Sequence, residues 1–276
     1  MAVRLFSALT ALPVVLWLMY TGGWTFGIFG LVVGSICLYE FMAITMGQDL
    51  WARVLFTVLG LALMLAIFTG RLGVANGLVA LTVLPLVSAT YVLARPGEVK
   101  TAARRMGMGV TGVLWAGGLL AATCALRQLP GGFGWLLVAC ALSWGSDTGG
   151  YFAGRAFGRH KLAPTVSPGK TWEGAAGGVL LGTALAFGIR ALFSVDISPL
   201  HLAILSPIAA AMGMIGDLSE SLLKRSVGVK DSGTIMPGHG GLLDRVDALL
   251  FVGPVVLMYA LLGANLSLEW LTFEGG

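Results

Sequence analysis

The stretch KRSVGVKDSGTIMPGHGGLLDRVD, from Lys224 to Asp247, gathers three Asp, four basic residues, one His and five Gly in a chain that is 57% apolar and 11% charged. Asp244 and Asp247 stand three residues apart where a helical run begins, which puts both carboxylates on one face. Asp217, Glu220 and Lys224 share a face of the preceding run at spacings of three and seven. Carboxylates without a His or Cys ligand pattern suit hard cations. Magnesium is usually held by one or two carboxylates plus substrate phosphate oxygens, and it fits this set better than zinc or copper.

The cations beside these acids need anionic partners. Lys170, Lys224, Arg225, Lys230 and Arg245 complete the mixed constellation of phosphoryl and nucleotidyl transfer, in which catalysis is mainly positioning and charge neutralisation. The glycines of PGHGG and SPGK would let backbone N–H groups approach phosphate oxygens. SPGKT is not a Walker A loop, because it lacks the preceding glycine at the required spacing. Plainer readings apply elsewhere. The basic group from Arg95 to Arg105 reads equally as a topology signal or a head-group contact. Glu40 and Asp147, each alone in an apolar run, read as interhelical hydrogen-bond partners as readily as ligands. Gly178 and Gly182 mark close helix packing, and Trp24, Trp51 and Tyr151 are interface anchors.

The elements that must position this chemistry are membrane spans. A mean hydropathy of +0.89 over 276 residues places the chain among polytopic membrane proteins. Nine apolar runs of a length that spans about 30 Å of hydrocarbon as helix fall at 5–22, 25–44, 51–70, 73–94, 109–126, 132–153, 174–193, 199–223 and 245–263. The reading is an all-α, polytopic fold of about nine transmembrane helices in one membrane-embedded domain, 1–276. Residues 1–108 are N-terminal spans, and 109–276 carry the catalytic spans and loops. The first run has the basic start of a signal peptide but no A-x-A cleavage site, so it reads as a retained span. Cys37, Cys124 and Cys140 lie inside apolar runs and read as packing residues.

Charge orients the chain. Counted by connection, 14 Lys and Arg fall on one side and three (Arg71, Arg127 and Arg190) on the other. The positive-inside rule then puts the N-terminus in the cytoplasm and the C-terminus outside. The segments 95–108, 154–173 and 224–244, which hold most of the charge, share the cytoplasmic face, where the polar site is expected.

The run SLLKRSVGVKDSGTIMPGHGGLLDRVD, from Ser221 to Asp247, resembles the signature of the phosphatidate cytidylyltransferases, also called CDP-diacylglycerol synthases. Two further segments are similar to that family, SDTGGYFAGRAFGRHKLAPTVSPGKTWEG from Ser146 and GDLSESLLKR from Gly216. Together they cover the C-terminal half; the first hundred residues resemble the family only as apolar spans. The resemblance implies a membrane enzyme of phospholipid biosynthesis that joins CTP and phosphatidic acid into CDP-diacylglycerol and pyrophosphate. It also implies Mg2+, with K+ as an example of a second cation, a bacterial cytoplasmic (inner) membrane setting, contact with membrane lipid and none with nucleic acid. A homodimer is among the assemblies it allows.

Carried onto this chain, the resemblance makes Asp217, Asp244 and Asp247 metal ligands. Lys224, Arg225, Lys230, Asp231, His239 and Arg245 join them as catalytic residues, the basic ones as phosphate or nucleotide contacts. Asp147, Ser167, Lys170, Thr171, Glu173 and Ser221 become substrate-binding residues, four of them through the SPxKTxEG segment. Two departures stand out. Gly169 occupies a position where many relatives are expected to carry a second Lys, and Asp147 sits in a less usual SWGSDTGG context.

Two other readings compete. One is a related enzyme, acting on an ether-linked isoprenoid glycerol phosphate or phosphorylating a lipid from CTP. The other is a transporter, which would place charges near the midplane in repeated halves; here the acids keep to one face and no repeat is visible. Reporter fusions are expected to place 95–108, 154–173 and 224–244 in the cytoplasm and the C-terminal SLEWLTFEGG outside. A cytoplasmic C-terminal reporter would break the nine-span reading.

Overall fold

A computed structural model describes residues 2–71, 74–235 and 240–264. His239 and the C-terminal segment from 265 onward, both named in the sequence reading, lie outside the described residues. Helices follow the apolar runs: α1 (Ala2–Thr21), α2 (Gly23–Met46), α3 (Leu50–Phe68), α4 (Val74–Ala94), then α5 (Ala102–Gly112), which continues through a π-helical stretch (Val113–Leu119) into α6 (Leu120–Ala125). After them come α7 (Gly132–Phe157), the strands β1 (Lys161–Ala163) and β2 (Ser167–Thr171), α8 (Trp172–Phe193), α9 (Pro199–Ser226) and α10 (Leu243–Met258).

Among the described residues, seven helical stretches are long and apolar enough to cross a membrane. Two of the nine expected spans fall outside that number, although both are helical. Of α1, the apolar part counted is Leu12–Thr21. In α7 the second half carries Ser146, Asp147, Thr148 and Arg155, which lower its hydropathy. The antiparallel hairpin, pairing Lys161 with Thr171 and Ala163 with Ser167, is a further difference from an all-helical reading. It lets the SPGK segment satisfy backbone groups at a helix end, where a bare loop was expected.

Large apolar side chains point outward along the bundle. Leu86, Leu93, Leu180, Leu192 and Leu262 are all more than 60% exposed, a surface suited to lipid and unsuited to water. Because lipid tails are as apolar as Leu, helix association here depends on close van der Waals packing rather than on the hydrophobic effect. The α7–α8 seam shows how. A Cβ added at Gly145 would meet Gly182 Cα at 3.0 Å, one at Gly149 would meet Gly177 O at 2.5 Å, and one at Gly178 would meet Ser146 O at 2.6 Å. The glycines expected to mark packing do so.

Local capping fixes where several helices begin. Asp49 accepts from Ala52 N at 3.1 Å to start α3, Thr171 from Gly174 N at 3.1 Å to start α8, and Ser198 from His201 N at 3.1 Å to start α9. At one end of the bundle, Arg105 joins the α4–α5 connection to the α2–α3 turn by donating to Asp49 at 3.0 Å and to Arg95 O and Pro96 O at 2.9 Å. At the other end Arg127 donates to Met19 O at 2.7 Å and Tyr20 O at 2.9 Å.

The seam makes an asymmetric prediction. Gly149→Ala is expected to destabilise the protein by about 1–3 kcal/mol, because the added methyl meets backbone. Gly188→Ala, with nothing within 4 Å of its Cβ, is expected to be neutral or slightly stabilising. Thermal unfolding of both variants in detergent would show it, and equal shifts would refute the seam.

Candidate active site

The polar residues converge on a cavity of about 560 Å³ bounded by α7, the hairpin, α8, α9 and the first turn of α10. Each wall follows from a local feature. Thr171 ends β2 and caps α8, so Ser167 and Lys170 on the hairpin are carried over the cavity. The i, i+4 and i+7 spacing on α9 presents Asp217, Ser221 and Lys224 along one stripe.

At the centre lies an ion-pair network. Lys224, whose side chain is 10% exposed, donates to Asp244 Oδ1 at 2.5 Å and to Glu220 Oε1 at 3.1 Å. Asp244 also accepts from Ser232 N at 2.9 and 3.2 Å and from Gly241 N at 2.8 Å. The lysine thus ties α9 to α10, and the carboxylate ties both to the connecting loop. Gly240 turns that loop with φ +82°, a conformation that favours glycine, so that the next N–H reaches Asp244. The expectation that PGHGG would offer its N–H groups to phosphate meets this fact at Gly241, whose N–H is already engaged.

Around this network the cavity is acidic with two cations at its edge. Asp147, Asp217 and Asp247 all line it, and their charges act on one another. Lys170 pairs with Asp217, and Ser221 Oγ donates to Asp217 Oδ1 at 3.4 Å. Arg245 lines the cavity and is exposed, and its side chain has no protein hydrogen-bond partner among the described residues. Its guanidinium is available to an anion.

Of the residues singled out from the sequence, Asp147, Ser167, Lys170, Thr171, Asp217 and Lys224 come together here, as do Asp231, Asp244, Arg245 and Asp247. Arg225 and Lys230 do not line the cavity: both are exposed, and Arg225 donates to Val229 O at 3.2 Å. Glu173 faces the start of the hairpin, where it accepts from Arg159 N at 3.1 Å and His160 N at 3.2 Å and pairs with His160 Nδ1 at 2.6 Å. Glu220 was recognised for its spacing but not as a site residue. It is buried against Lys224, and the i, i+4 Glu–Lys pattern was the signal for it. Ser146 also lines the cavity, with no signal beyond its neighbourhood to Asp147, and so does Tyr151, which the sequence marks only as an interface anchor.

A divalent cation fits part of the expected ligand set. Both oxygens of Asp244 are engaged by Lys224 and backbone N–H groups, and among the described residues no three acidic, His or Cys side chains are drawn together as a ready cage. Magnesium does not require one, since one or two carboxylates with waters and phosphate oxygens suffice. Asp217 and Asp247, facing one cavity, supply such a pair.

The sequence profile of the cytidylyltransferase family matches residues 2–262. The phosphatidate cytidylyltransferase of Pseudomonas aeruginosa is 35% identical over 261 residues, 91% of this chain and 94% of that protein. That of Brucella suis is 32% identical over 263 residues, 95% of this chain and 94% of that protein. That of Haemophilus influenzae reaches 49% identity over 124 residues, 43% of each chain.

The two lysines of the cavity are expected to carry unequal costs. Lys224→Met leaves Glu220 and Asp244 buried without their cation and is expected to cost about 3–5 kcal/mol, seen as a large fall in folded yield and unfolding temperature. Lys170→Ala, at a site a quarter exposed, is expected to shift unfolding by less than about 1 kcal/mol. Similar shifts for both would displace Lys224 from the centre of the fold.

Proposed function

The chain belongs to the cytidylyltransferase family, and from that premise we propose that it transfers the cytidylyl group of CTP to phosphatidic acid, giving CDP-diacylglycerol and pyrophosphate in phospholipid biosynthesis. The observation that carries this reading is the cavity itself: carboxylates and cations, the Arg245 guanidinium among them without a protein hydrogen-bond partner among the described residues, gathered at one end of a lipid-facing helical bundle. A phosphate carried by a membrane lipid reaches such a place without leaving the bilayer. The 14 to 3 distribution of Lys and Arg supports a cytoplasmic face for this end, in a bacterial inner membrane, and CTP is a cytoplasmic nucleotide.

In the reaction a phosphate oxygen of phosphatidic acid attacks the α-phosphorus of CTP. The new P–O bond forms as the bond to the β-phosphate oxygen breaks, and pyrophosphate leaves. Asp217 and Asp247 would hold Mg2+. When bound, that ion supplies neutralisation of charge on the phosphate oxygens. The Arg245 guanidinium, without a protein hydrogen-bond partner among the described residues, offsets charge on the departing pyrophosphate. Lys170 exchanges Asp217 for a CTP phosphate as the nucleotide enters, so the hairpin follows the substrate. Lys224 and Asp244 hold α9 and α10 at the separation that keeps these groups aimed together.

Purified protein given CTP labelled at the α-phosphate, phosphatidic acid and Mg2+ is expected to yield labelled lipid, and chelation is expected to abolish it. Label entering lipid from the γ-phosphate instead would mean a CTP-dependent lipid kinase. Asp247→Asn is expected to lower kcat at least about 100-fold, Arg245→Ala to lower kcat, and Lys170→Ala chiefly to raise KM for CTP. Near-normal turnover in Asp247→Asn would remove that carboxylate from the mechanism.

A further inference from the structure

Glu40 belongs to α2, 202 residues before the Leu242 that precedes α10, and it is 5% exposed. A buried carboxylate in a membrane helix is costly enough to call for a reason. Its oxygens supply one. Oε1 accepts from Leu242 N at 3.2 Å, while Oε2 accepts from Leu243 N at 2.9 Å and from Ser232 Oγ at 3.3 Å.

The first N–H groups of a helix have no partner within it, and α10 has no side-chain cap of its own. Glu40 provides that cap from another helix, with its negative charge at the positive end of the helix dipole. Ser232, which the same carboxylate holds, donates its N–H to both oxygens of Asp244. Two glycines of the loop make room for this contact. The three atoms nearest a Cβ added at Gly233 all belong to Glu40, with Cδ at 2.8 Å, and a Cβ at Gly241 would stand 2.7 Å from Glu40 Oε2.

We propose that Glu40 is a positioning residue for the transfer: its carboxylate fixes the first turn of α10 and the Ser232 loop, and so sets where Asp244, Arg245 and Asp247 point. It touches none of the reacting atoms. Its effect falls on the alignment of groups that act in the transition state, where a displacement of about 1 Å costs on the order of 100-fold in rate. Gln is a poor replacement, because both oxygens accept hydrogen bonds and an amide turns one of them into a donor facing a donor.

This inference rests on the transferase reading, so the test includes a readout that needs no substrate. In Glu40→Gln, kcat per folded enzyme is expected to fall at least about 10-fold with KM for CTP within about threefold of the parent, and the Leu242 and Leu243 amides to exchange hydrogen faster. Gly233→Ala is expected to lower kcat in the parent but by less than about twofold in a Glu40→Ala background, because the methyl then meets nothing of Glu40. Should Glu40→Gln fail to fold, Gly233→Ala, which displaces the same carboxylate without removing it, carries the kcat and exchange measurements. A kcat within about twofold of the parent with unchanged exchange, or independent effects of the two substitutions, would overturn the proposal. A parent protein without transferase activity would overturn the function instead, leaving amide exchange to decide whether Glu40 positions α10.

Discussion

The fold of the polar end depends on one buried cation. Lys224 stands between Glu220 on its own helix and Asp244 on the next, with all three side chains nearly out of solvent. One ammonium serves two carboxyl groups, and backbone N–H groups from Ser232 and Gly241 add further donors to Asp244. Breaking such a pair costs far more than forming it gains, because the survivor is a charge without solvent or partner. The network therefore acts less as a source of stability than as a constraint. The lysine meets both carboxyl groups, and Asp244 both loop amides, only when α9, α10 and their connecting loop stand in this relative placement.

That constraint explains why cavity and bundle are built by different physics. Along the spans, glycine lets α7 and α8 approach backbone to backbone, and dispersion holds them. At the polar end the helices are held by charge and hydrogen bonds, which are directional. Arg245 and Asp247 inherit a fixed orientation from the turn that Asp244 locks. Lys170 sits on a short hairpin with space around Gly169 and inherits less. The cavity thus has a stiff wall and a compliant one.

Much of this was legible in the sequence because lipid imposes a strong pattern. Apolar runs of span length marked the helices, and the confinement of charge to three connections marked the site. The i, i+3 pair Asp244 and Asp247 and the stripe from Asp217 to Lys224 were visible as periodicity. Direction was not. Periodicity places Lys224 on the right face but cannot say whether its ammonium turns to substrate or to a neighbouring carboxylate, and here it turns inward. Arg225, one position further, falls on the outer face. Glu173 reads as a site residue in its motif, yet it holds the entry to the hairpin, a contact with backbone amides that leaves no trace in residue types. The hairpin itself escaped because five residues of SPGKT carry no alternation.

The link between Glu40 and the start of α10 also bears on how the protein comes into being. The carboxylate and the backbone N–H groups that donate to it are separated by 202 and 203 residues. A ribosome adding roughly 5–20 residues per second needs on the order of 10–40 s to cover that distance. During that interval α2 has been made and α10 has not, so the acid must wait without its native hydrogen-bond donors. It is then α10 that supplies the donors for a carboxylate carried on α2. Synthesis of α10, rather than insertion of α2, becomes the event that assembles the polar end.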